Sequence, residues 1–502
     1  MKFFYSIILF LFTYAAIGQN STPEFKKAMT KAKVYIEIGD YYGALTIYKE
    51  LYQKDTTDAE LNFQLGLCYF NLAYFNEAEV HFNKTTPSVS VELFRYKAAV
   101  AHANQKFKKA LNFYNGYKII AGKKELSNDE INRLINQVSY AELAIKNKRN
   151  ITIENLGSTI NTPFDDYNPQ INADASLFIF TSNREKNIYN IYQSGIIKNQ
   201  LAEPKKVNSN VNSNDNEIAA GLSADGQMLF IHKTNKFFVG SNLYTSQMGL
   251  DEWETPIKLP KEINSTFNET NASITTENST IYFSSDKPGG YGGKDIYKIS
   301  RLPNGEWAMP ENLGPIVNTP YNEDAPFIHN DNKTLYFSSQ GHQNMGGYDL
   351  FKTEFTNNTW TNPENLGVPI NSVRDETNIV LTADGKIGYL ASTRENGIGG
   401  KDIYKAVIND PPTNVLILKG KAFDKKTNEM LITKVTLIET ESKKVQGIYK
   451  AKSSSGEFIL LIEPDKIYNI LIEADGYHPI SEELNFDIKK LAALSYKMEL
   501  KK

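Results

Sequence analysis

Three short stretches decide the fold of the largest part of this chain: GGKDIY at 292–297, GGYDLF at 346–351 and GGKDIY at 399–404. Each pairs two glycines with an aspartate and then alternating apolar residues. This pattern is typical of a tight bend that leads into a β-strand. Recurrence at a period of about 50 residues predicts a repeat architecture in which each unit forms one small antiparallel sheet.

The repeat that contains these stretches extends over residues 151–408 and occurs five times. Each unit begins with an asparagine after Ile or Val, has an acid five residues later, and carries a second acid at a turn. The three series are Asn161, Asn212, Asn264, Asn318 and Asn371; Asp166, Glu217, Glu269, Glu323 and Glu376; and Asp174, Asp225, Glu277, Asp331 and Asp384. Turn residues at fixed offsets between short strands predict an all-β propeller of five blades, with six as the alternative.

The ends of the repeat region predict how the propeller closes. The fifth repeat lacks the ENLG stretch that the third and fourth repeats carry at 311–314 and 364–367, whereas a lone ENLG at 154–157 precedes the first repeat. We expect this fragment to complete the last blade, which removes two free sheet edges.

A helical region precedes the propeller, at residues 22–148. Ala44, Ala78 and Ala110 recur at a period near 34, and small residues stand twelve positions before each of them. Small residues at fixed spacing allow paired helices to approach closely, so the pattern predicts a solenoid of helical hairpins. Ser127 and Glu130 form a capping box that begins a closing helix.

Stacked hairpins present a groove, and in the second hairpin five residues are candidates for binding a partner there: Glu60, Phe63, Leu67, Phe70 and Asn71. The alternative interpretation is that Phe63 and Leu67 only pack on the neighbouring repeat.

Residues 414–500 follow a short linker at 409–413 that contains two prolines. Apolar residues alternate along this segment, and Gly456 and Gly476 lie at turn signals. The pattern predicts a small all-β sandwich. Its single histidine, His478, has no metal-ligand cluster around it.

Four basic residues of the propeller are a second candidate surface: Arg184, Lys233, Lys287 and Arg394. We expect them at equivalent places in four blades, where they form either a positive rim for an acidic partner or a solvated set.

The repeated acids invite comparison with glycoside hydrolysis, which needs two carboxylates. Acids at one offset in every blade are instead what a structural turn requires, since each accepts backbone N–H groups.

Bulk properties exclude several classes of function. The net charge is -3, from 55 basic and 58 acidic residues, with no basic block, so nucleic acid is not an expected partner. Residues 1–18 read as a signal peptide, with retention as a membrane anchor as the alternative. Cys68, the one cysteine, cannot form an internal disulfide, which favours a bacterial envelope.

Three resemblances extend this interpretation. The helical period resembles the tetratricopeptide repeat, the GG-x-D-I-Y pattern resembles the WD40-like repeats of the propeller family typified by TolB, and residues 414–500 resemble the carboxypeptidase regulatory-like domain. The order of these modules is similar to Bacteroidetes envelope proteins of the type IX secretion and gliding machinery. Those commonly continue into an OmpA-like domain, which does not follow here.

These observations predict a non-enzymatic scaffold, exported to the periplasm and associated with the outer membrane only through its partners. Those partners would be outer-membrane or secretion proteins. The alternative is a protein that binds a glycan or peptidoglycan fragment through the propeller, and a glycoside-cleaving enzyme is a third. We find no catalytic, cofactor or metal motif in the sequence.

Overall fold

A computed structural model describes residues 22–120, 125–185, 188–197, 200–235, 241–409, 415–464, 466–484 and 495–501. The chain divides into two compact units, 1–146 and 147–502. The predicted signal peptide lies outside the described residues, as does the predicted linker except for Asn409. Among the helices of the described ranges, none has the length and apolar character needed to cross a membrane.

The described part of the first unit contains seven helices, arranged as three hairpins and a closing helix. They are α1 (Pro23–Glu37), α2 (Tyr41–Tyr52), α3 (Ala59–Asn71), α4 (Phe75–Asn83), α5 (Leu93–Ala103), α6 (Phe107–Ile119) and α7 (Asn128–Lys146).

Small residues lie where these helices cross, as the period predicts. Ala44, Ala78 and Ala110 are fully buried. At Gly66 an added Cβ would lie 2.5 Å from the ring of Phe82, so only glycine allows α3 and α4 this approach. The predicted capping box is confirmed, because Ser127 N–H donates to Glu130 Oε2 at 2.7 Å and Glu130 N–H donates to Ser127 Oγ at 3.2 Å.

The second unit begins with five antiparallel sheets, one from each sequence repeat. The first contains β2 (Asp166–Ile171), β3 (Leu177–Ser182), β4 (Asn190–Ile197), β5 (Gln200–Leu201) and β6 (Lys205–Lys206); the second β7 (Asn216–Leu222), β8 (Met228–Thr234), β9 (Asn242–Gln247) and β10 (Ile257–Lys258); the third β11 (Glu269–Ile274), β12 (Thr280–Ser285), β13 (Asp295–Ser300) and β14 (Glu311–Asn312). The fourth contains β15 (Glu323–Ile328), β16 (Thr334–Ser339), β17 (Asp349–Thr356), β18 (Thr359–Trp360) and β19 (Glu364–Asn365); the fifth β20 (Glu376–Leu381), β21 (Ile387–Ser392), β22 (Asp402–Ile408) and β1 (Ile151–Asn155).

The five sheets form a closed cycle. The first strand of each sheet packs on the first strands of the two sheets beside it, and β20 of the fifth sheet returns to β2 of the first. β1 pairs with β22 from Ile151 opposite Ile408 to Asn155 opposite Tyr404. The predicted role of the ENLG fragment is therefore confirmed, since the N-terminal strand completes the last sheet. A helical region followed by a β-propeller is the order that the sequence predicts.

The repeated asparagine holds the loop before each sheet to the third strand of the preceding one. Asn371 is typical: its Nδ2 donates to the carbonyl oxygen of Leu350 at 2.8 Å, and its Oδ1 accepts the N–H of the same residue at 2.8 Å. The other four asparagines make the same pair of bonds to Ile403, Ile191, Leu243 and Ile296. A buried amide that satisfies both backbone groups of one residue explains why the repeat requires Asn.

The first glycine of the GG-x-D pattern is required by a close approach of two chain segments. A Cβ on Gly292 would lie 1.8 Å from the carbonyl oxygen of Tyr321, and one on Gly399 would lie 2.0 Å from that of Phe164. Because each contact is made by the loop that enters the next sheet, the motif marks the junction between neighbouring sheets.

Two further sheets follow. One contains β23 (Leu416–Asp424), β26 (Glu457–Ile462) and β29 (Ser495–Leu500), and the other contains β24 (Lys434–Glu439), β25 (Val445–Lys450), β27 (Tyr468–Glu473) and β28 (Ile480–Leu484). Leu418 and Leu460 of the first sheet share one buried core with Leu437 and Ile470 of the second.

Candidate functional site: the loop face of the propeller

The path of the chain gives the propeller two faces. In each sheet the turn between the first and second strands lies on one side, which we call the turn face. The loop between the second and third strands and the loop that leads into the next sheet lie on the other side, which we call the loop face. This follows because antiparallel strands reverse direction at each connection.

The two C-terminal sheets cover the turn face. Ile448 N–H donates to the carbonyl oxygen of Thr276 at 2.9 Å, Lys450 N–H donates to Asp225 Oδ2 at 3.0 Å, and Lys419 Nζ donates to Asp174 Oδ2 at 2.7 Å. Burial acts to raise the pKa of Asp174, but the bond from Lys419 and the nearby charge of Lys452 outweigh it, so this pKa lies below its usual value. Two turn acids, Asp174 and Asp225, thus hold the C-terminal sheets to the propeller.

The acids that begin the five first strands are fully buried at the loop face. Glu376 shows their surroundings: it accepts Ser372 N–H at 2.8 Å, the hydroxyl of the same serine at 2.7 Å and the hydroxyl of Ser392 at 2.7 Å. Each of the five accepts a backbone N–H and a hydroxyl from the residue four positions before it. These carboxylates hold the loops that precede their strands in place.

The aspartates of the GG-x-D pattern are equally engaged. Asp402 Oδ1 accepts Gly399 N–H at 3.0 Å, and Asp295 Oδ1 accepts Gly292 N–H at 3.0 Å. Asn155 and Asn312 donate to the other oxygens of these two carboxylates, at 2.8 and 2.7 Å. Burial raises the pKa of Asp349, their counterpart in the fourth sheet.

The four predicted rim cations lie beside the buried acids and not on an open positive surface. Arg184 Nη2 is 2.8 Å from Asp166 Oδ1, Lys233 Nζ is 3.0 Å from Glu217 Oε1, and Arg394 Nε is 3.3 Å from Glu376 Oε1. Lys287 lies over the ring of Tyr297, with Nζ 3.7 Å from its centroid. The cations therefore act within their own sheets.

One part of that prediction is wrong: Lys233 is not equivalent to the other three. Strand register places Lys233 opposite Glu217, in the position that Ser182 holds opposite Asp166 and Ser392 opposite Glu376. The residue equivalent to Arg184 and Arg394 in the second sheet is therefore Asn235. The long lysine side chain reaches the same carboxylate from a position two residues earlier.

The fourth sheet has no cation at this position, because Gly341 takes it. A Cβ there would lie 1.8 Å from Thr319 Oγ1. His342 replaces the cation, and its Nε2 lies 2.8 Å from the carbonyl oxygen of Val317. In the fifth sheet, Arg394 makes the equivalent contact with the carbonyl oxygen of Ile370. With glycine at this position instead of arginine, burial raises the pKa of Glu323 to about 7.

The loop face presents several apolar side chains to solvent, beside polar ones such as Asn214 and Glu395. Phe164, Phe267, Tyr291, Ile316 and Ile398 all lie in its loops and are 38–50% exposed. This set was not predicted from the sequence, although a signal for two of its members, Phe164 and Phe267, was present. The position two residues before the repeated acid is aromatic in three of five repeats, as Phe164, Phe267 and Tyr321. Large exposed apolar side chains on one face are typical of a protein interaction surface.

In the first unit, the five predicted groove residues have mixed surroundings. Phe63 is buried against Phe82 of its own hairpin and Tyr96 of the next. Phe70 and Leu67 are half-buried, and Phe70 lies against Phe75 and Tyr96. The remaining two are polar: Glu60 pairs with Lys33 at 3.0 Å, and Asn71 is exposed.

Within the described ranges, no group of three or more His, Cys, Asp or Glu side chains is arranged to hold a metal ion. The buried thiol of Cys68 packs in the core of the first two hairpins, and burial raises its pKa to about 12.

No protein-family model matches the chain, and no curated protein matches it significantly in sequence. Among solved structures it is similar to TolB from Acinetobacter baumannii, with a TM-score of 0.33 and 13% identity over 57% of this chain and 72% of that one. It is also similar to an alpha-L-arabinofuranosidase from Lactobacillus brevis, with a TM-score of 0.33 and 10% identity over 50% of this chain and 92% of that one. For the β-propeller domain of the Trilobed protease from Pyrococcus furiosus, the TM-score is 0.27 and the identity 14%, over 64% of this chain and 84% of that one. Likenesses with TM-scores this low carry no argument about the activity of this chain.

Proposed function

We propose that this protein is a non-enzymatic adaptor of a bacterial cell envelope that binds other proteins through the loop face of its propeller. One observation carries the proposal: the loop face exposes apolar side chains, whereas the carboxylates that could have served catalysis are buried and bonded within their own sheets. The centre of a protein–protein interface is typically apolar, because apolar side chains lose their water at little cost in free energy.

We also infer the finer architecture that the sequence predicts. The five sheets, with first strands in a closed cycle, support a five-bladed propeller at 151–408 over the six-bladed alternative. Buried small residues at helix crossings support tetratricopeptide-like hairpins at 22–148, and two sheets on one core support a regulatory-like sandwich at 414–500. In the first unit, exposed Asn71 and half-buried Leu67 and Phe70 give a second candidate surface for a partner.

Location and partners belong to the same proposal. The apolar segment near the N-terminus supports export, and a buried thiol without a disulfide partner supports a periplasmic site in a bacterium. Outer-membrane or secretion components are the partners we propose, and membrane association would come through them.

Co-purification tests the proposal. Phe164, Phe267 and Tyr291 are replaced together by serine in the tagged full-length protein, which is then recovered from crosslinked envelopes of its own cells. The matched control replaces Leu250 and Ile257, equally apolar and about 70% exposed but outside the loop face. We expect specific envelope proteins to be lost with the first variant and kept with the second. Equal recovery with both variants would refute the role of the loop face.

A further inference from the structure

The junction between the fourth and fifth sheets contains a cavity of about 330 Å³, which we call the closing cavity. Its walls are apolar and come from both sides of the junction: Leu366, Ile370, Ile379 and Leu381. Ile151 of β1 and Ile408 of β22 also line it and are only half-buried, so it opens to solvent beside the closing strand. Its volume falls within the roughly 300–1,000 Å³ of sites for small molecules.

At three other junctions an indole ring occupies the corresponding place. Trp253 of the second repeat shares a buried core with Ile179 of the first sheet. Trp307 of the third repeat packs on the core that the second and third sheets share. Trp360 of the fourth repeat packs on the third sheet, with its ring centroid 6.1 Å from that of Tyr282. A large aromatic ring is therefore the usual filling between neighbouring sheets of this propeller.

The closing strand lacks this tryptophan. Trp360 lies opposite Phe355 in the fourth sheet, and the residue one repeat after Phe355 is Ile408, which lies opposite Ile151. Ile151 thus holds the tryptophan position with a much smaller side chain, and the ring of Tyr336 lines the cavity instead of meeting an indole. Because apolar cavities take up apolar guests of matching size, the space left here suits a flat aromatic ring beside Tyr336.

Both charged residues of the lining are cations, and they share one carboxylate. Arg149 Nη2 lies 2.6 Å from Glu364 Oε1, and Lys352 Nζ lies 3.3 Å from Glu364 Oε2. Burial acts to raise the pKa of Glu364, but the two cations outweigh it and hold this pKa below its usual value. Arg149 Nη2 also donates to the carbonyl oxygen of Asn365 at 2.8 Å, and among the described residues Nε and Nη1 of Arg149 have no acceptor. Two cations against one carboxylate leave donors and positive charge for an anionic group.

Asp331 and Glu354 also act electrostatically on Tyr336, but neither lines the cavity, so the charged groups that meet a ligand inside it are Arg149 and Lys352. We infer that the closing cavity binds a small aromatic carboxylic acid, with its ring beside Tyr336 and its carboxylate at these two cations. The exposed apolar side chains of the loop face do not line this cavity, so the inference and the adaptor function can fail independently.

Isothermal titration calorimetry on the full-length protein tests the inference, with indole-3-acetate and indole-3-propionate as probes. Neutral indole-3-acetamide and cationic tryptamine carry the same ring without the carboxylate. We expect at least one indole carboxylate to bind, and the amide and the amine to bind more weakly by about tenfold or more.

Lys352→Met should weaken binding of that carboxylate by about tenfold or more. Lys298→Met is the matched control and should leave the affinity unchanged. Lys298 holds the same position in the third sheet, opposite Tyr282 and 3.1 Å from Glu311, at a junction that Trp360 already fills.

Ile151→Trp puts the missing indole in place. It should abolish binding and raise the melting temperature of the ligand-free protein, whereas Trp360→Ile, which empties the corresponding place one junction earlier, should lower it. The bound carboxylate should raise the melting temperature of the wild type and not that of Ile151→Trp. If Ile151→Trp misfolds, Lys352→Met against Lys298→Met decides. Absence of binding by both carboxylates, equal binding of the amide or the amine, or undiminished affinity in Ile151→Trp would overturn the inference.

Discussion

Glu323 gives a direct test of how the repeat manages its buried carboxylates. Its sheet has glycine, Gly341, at the position where the first and fifth sheets carry arginine. Its carboxylate oxygens accept Thr319 N–H at 2.7 Å and the hydroxyls of Thr319 and Ser339 at 2.7 and 2.6 Å. Glu323→Gln preserves all three contacts, since the amide oxygen can accept the N–H and the amide nitrogen can donate to both hydroxyls.

The size of the effect follows from the pKa of Glu323, which burial raises from 4.5 to about 7. The folded state binds the proton more tightly than the unfolded state, so its contribution to stability is complete below pH 4.5 and is lost as the pH rises through 7. At 1.36 kcal/mol per pKa unit, the ionised carboxylate costs about 3 kcal/mol at pH 8. Glu323→Gln should remove that cost, so the variant gains stability over the wild type as the pH rises.

Urea unfolding between pH 5 and pH 8, followed by fluorescence, measures this difference. Glu376→Gln is the matched control in the fifth sheet. There the neutral side chain leaves the half-buried guanidinium of Arg394 without its carboxylate, and we expect a loss of about 2 kcal/mol at pH 8. If Glu323→Gln also destabilises the protein at pH 8, the fourth sheet has a counterion that the contacts around Glu323 do not reveal, and our account of the repeat is wrong.

Three further predictions concern contacts that hold the second unit together. Asn318→Ala leaves the buried N–H of Ile296 without its partner and removes one of the two hydrogen bonds to the C=O of Ile296, which keeps the bond from Leu313 N–H. It should cost about 1–3 kcal/mol in urea unfolding, whereas serine in place of exposed Asn304 should cost less than about 0.5 kcal/mol. Gly292→Ala brings a Cβ to 1.8 Å from a carbonyl oxygen and should destabilise the protein by about 1–3 kcal/mol, with faster proteolysis of the adjoining loop; unchanged protection would contradict the steric argument. Lys419→Met removes a hydrogen bond to Asp174 and should lower the stability of the C-terminal sheets at pH 7 by about 1–2 kcal/mol. Because the pKa of Asp174 is lowered, the difference between this variant and the wild type should shrink as the pH falls through the folded-state pKa, as hydrogen exchange of β23 can show.

Features that recur in every repeat can be predicted from the sequence, whereas contacts that occur once in the fold mostly cannot. Asparagines, acids and glycine pairs recur because each solves a local problem of backbone hydrogen bonding or close approach, and such solutions leave a period in the sequence. The closing strand was predictable for the same reason, since ENLG at 154–157 matches two later copies.

Register was readable from spacing, because the first two repeats are offset by 51 residues, as in Asn161 and Asn212. That offset makes Asn235 the counterpart of Arg184, in agreement with the pairing of β7 with β8, and the prediction of Lys233 was wrong on this count.

Docking leaves no such trace. The C-terminal sheets dock through backbone groups such as Ile448 N–H and through turn acids that serve their own turns as well. Backbone groups are common to every residue, so no residue type marks this interface in advance.

Site-specific photocrosslinking in intact cells is the measurement that tests the adaptor function most directly. A benzoylphenylalanine is placed at Phe267 on the loop face, or at Ile257 on the outermost strand of the second sheet, where the side chain is 71% exposed. We predict discrete crosslinked products with envelope proteins from position 267 and none from position 257. No product from position 267, or the same products from both positions, would contradict the claim that the loop face binds the partner.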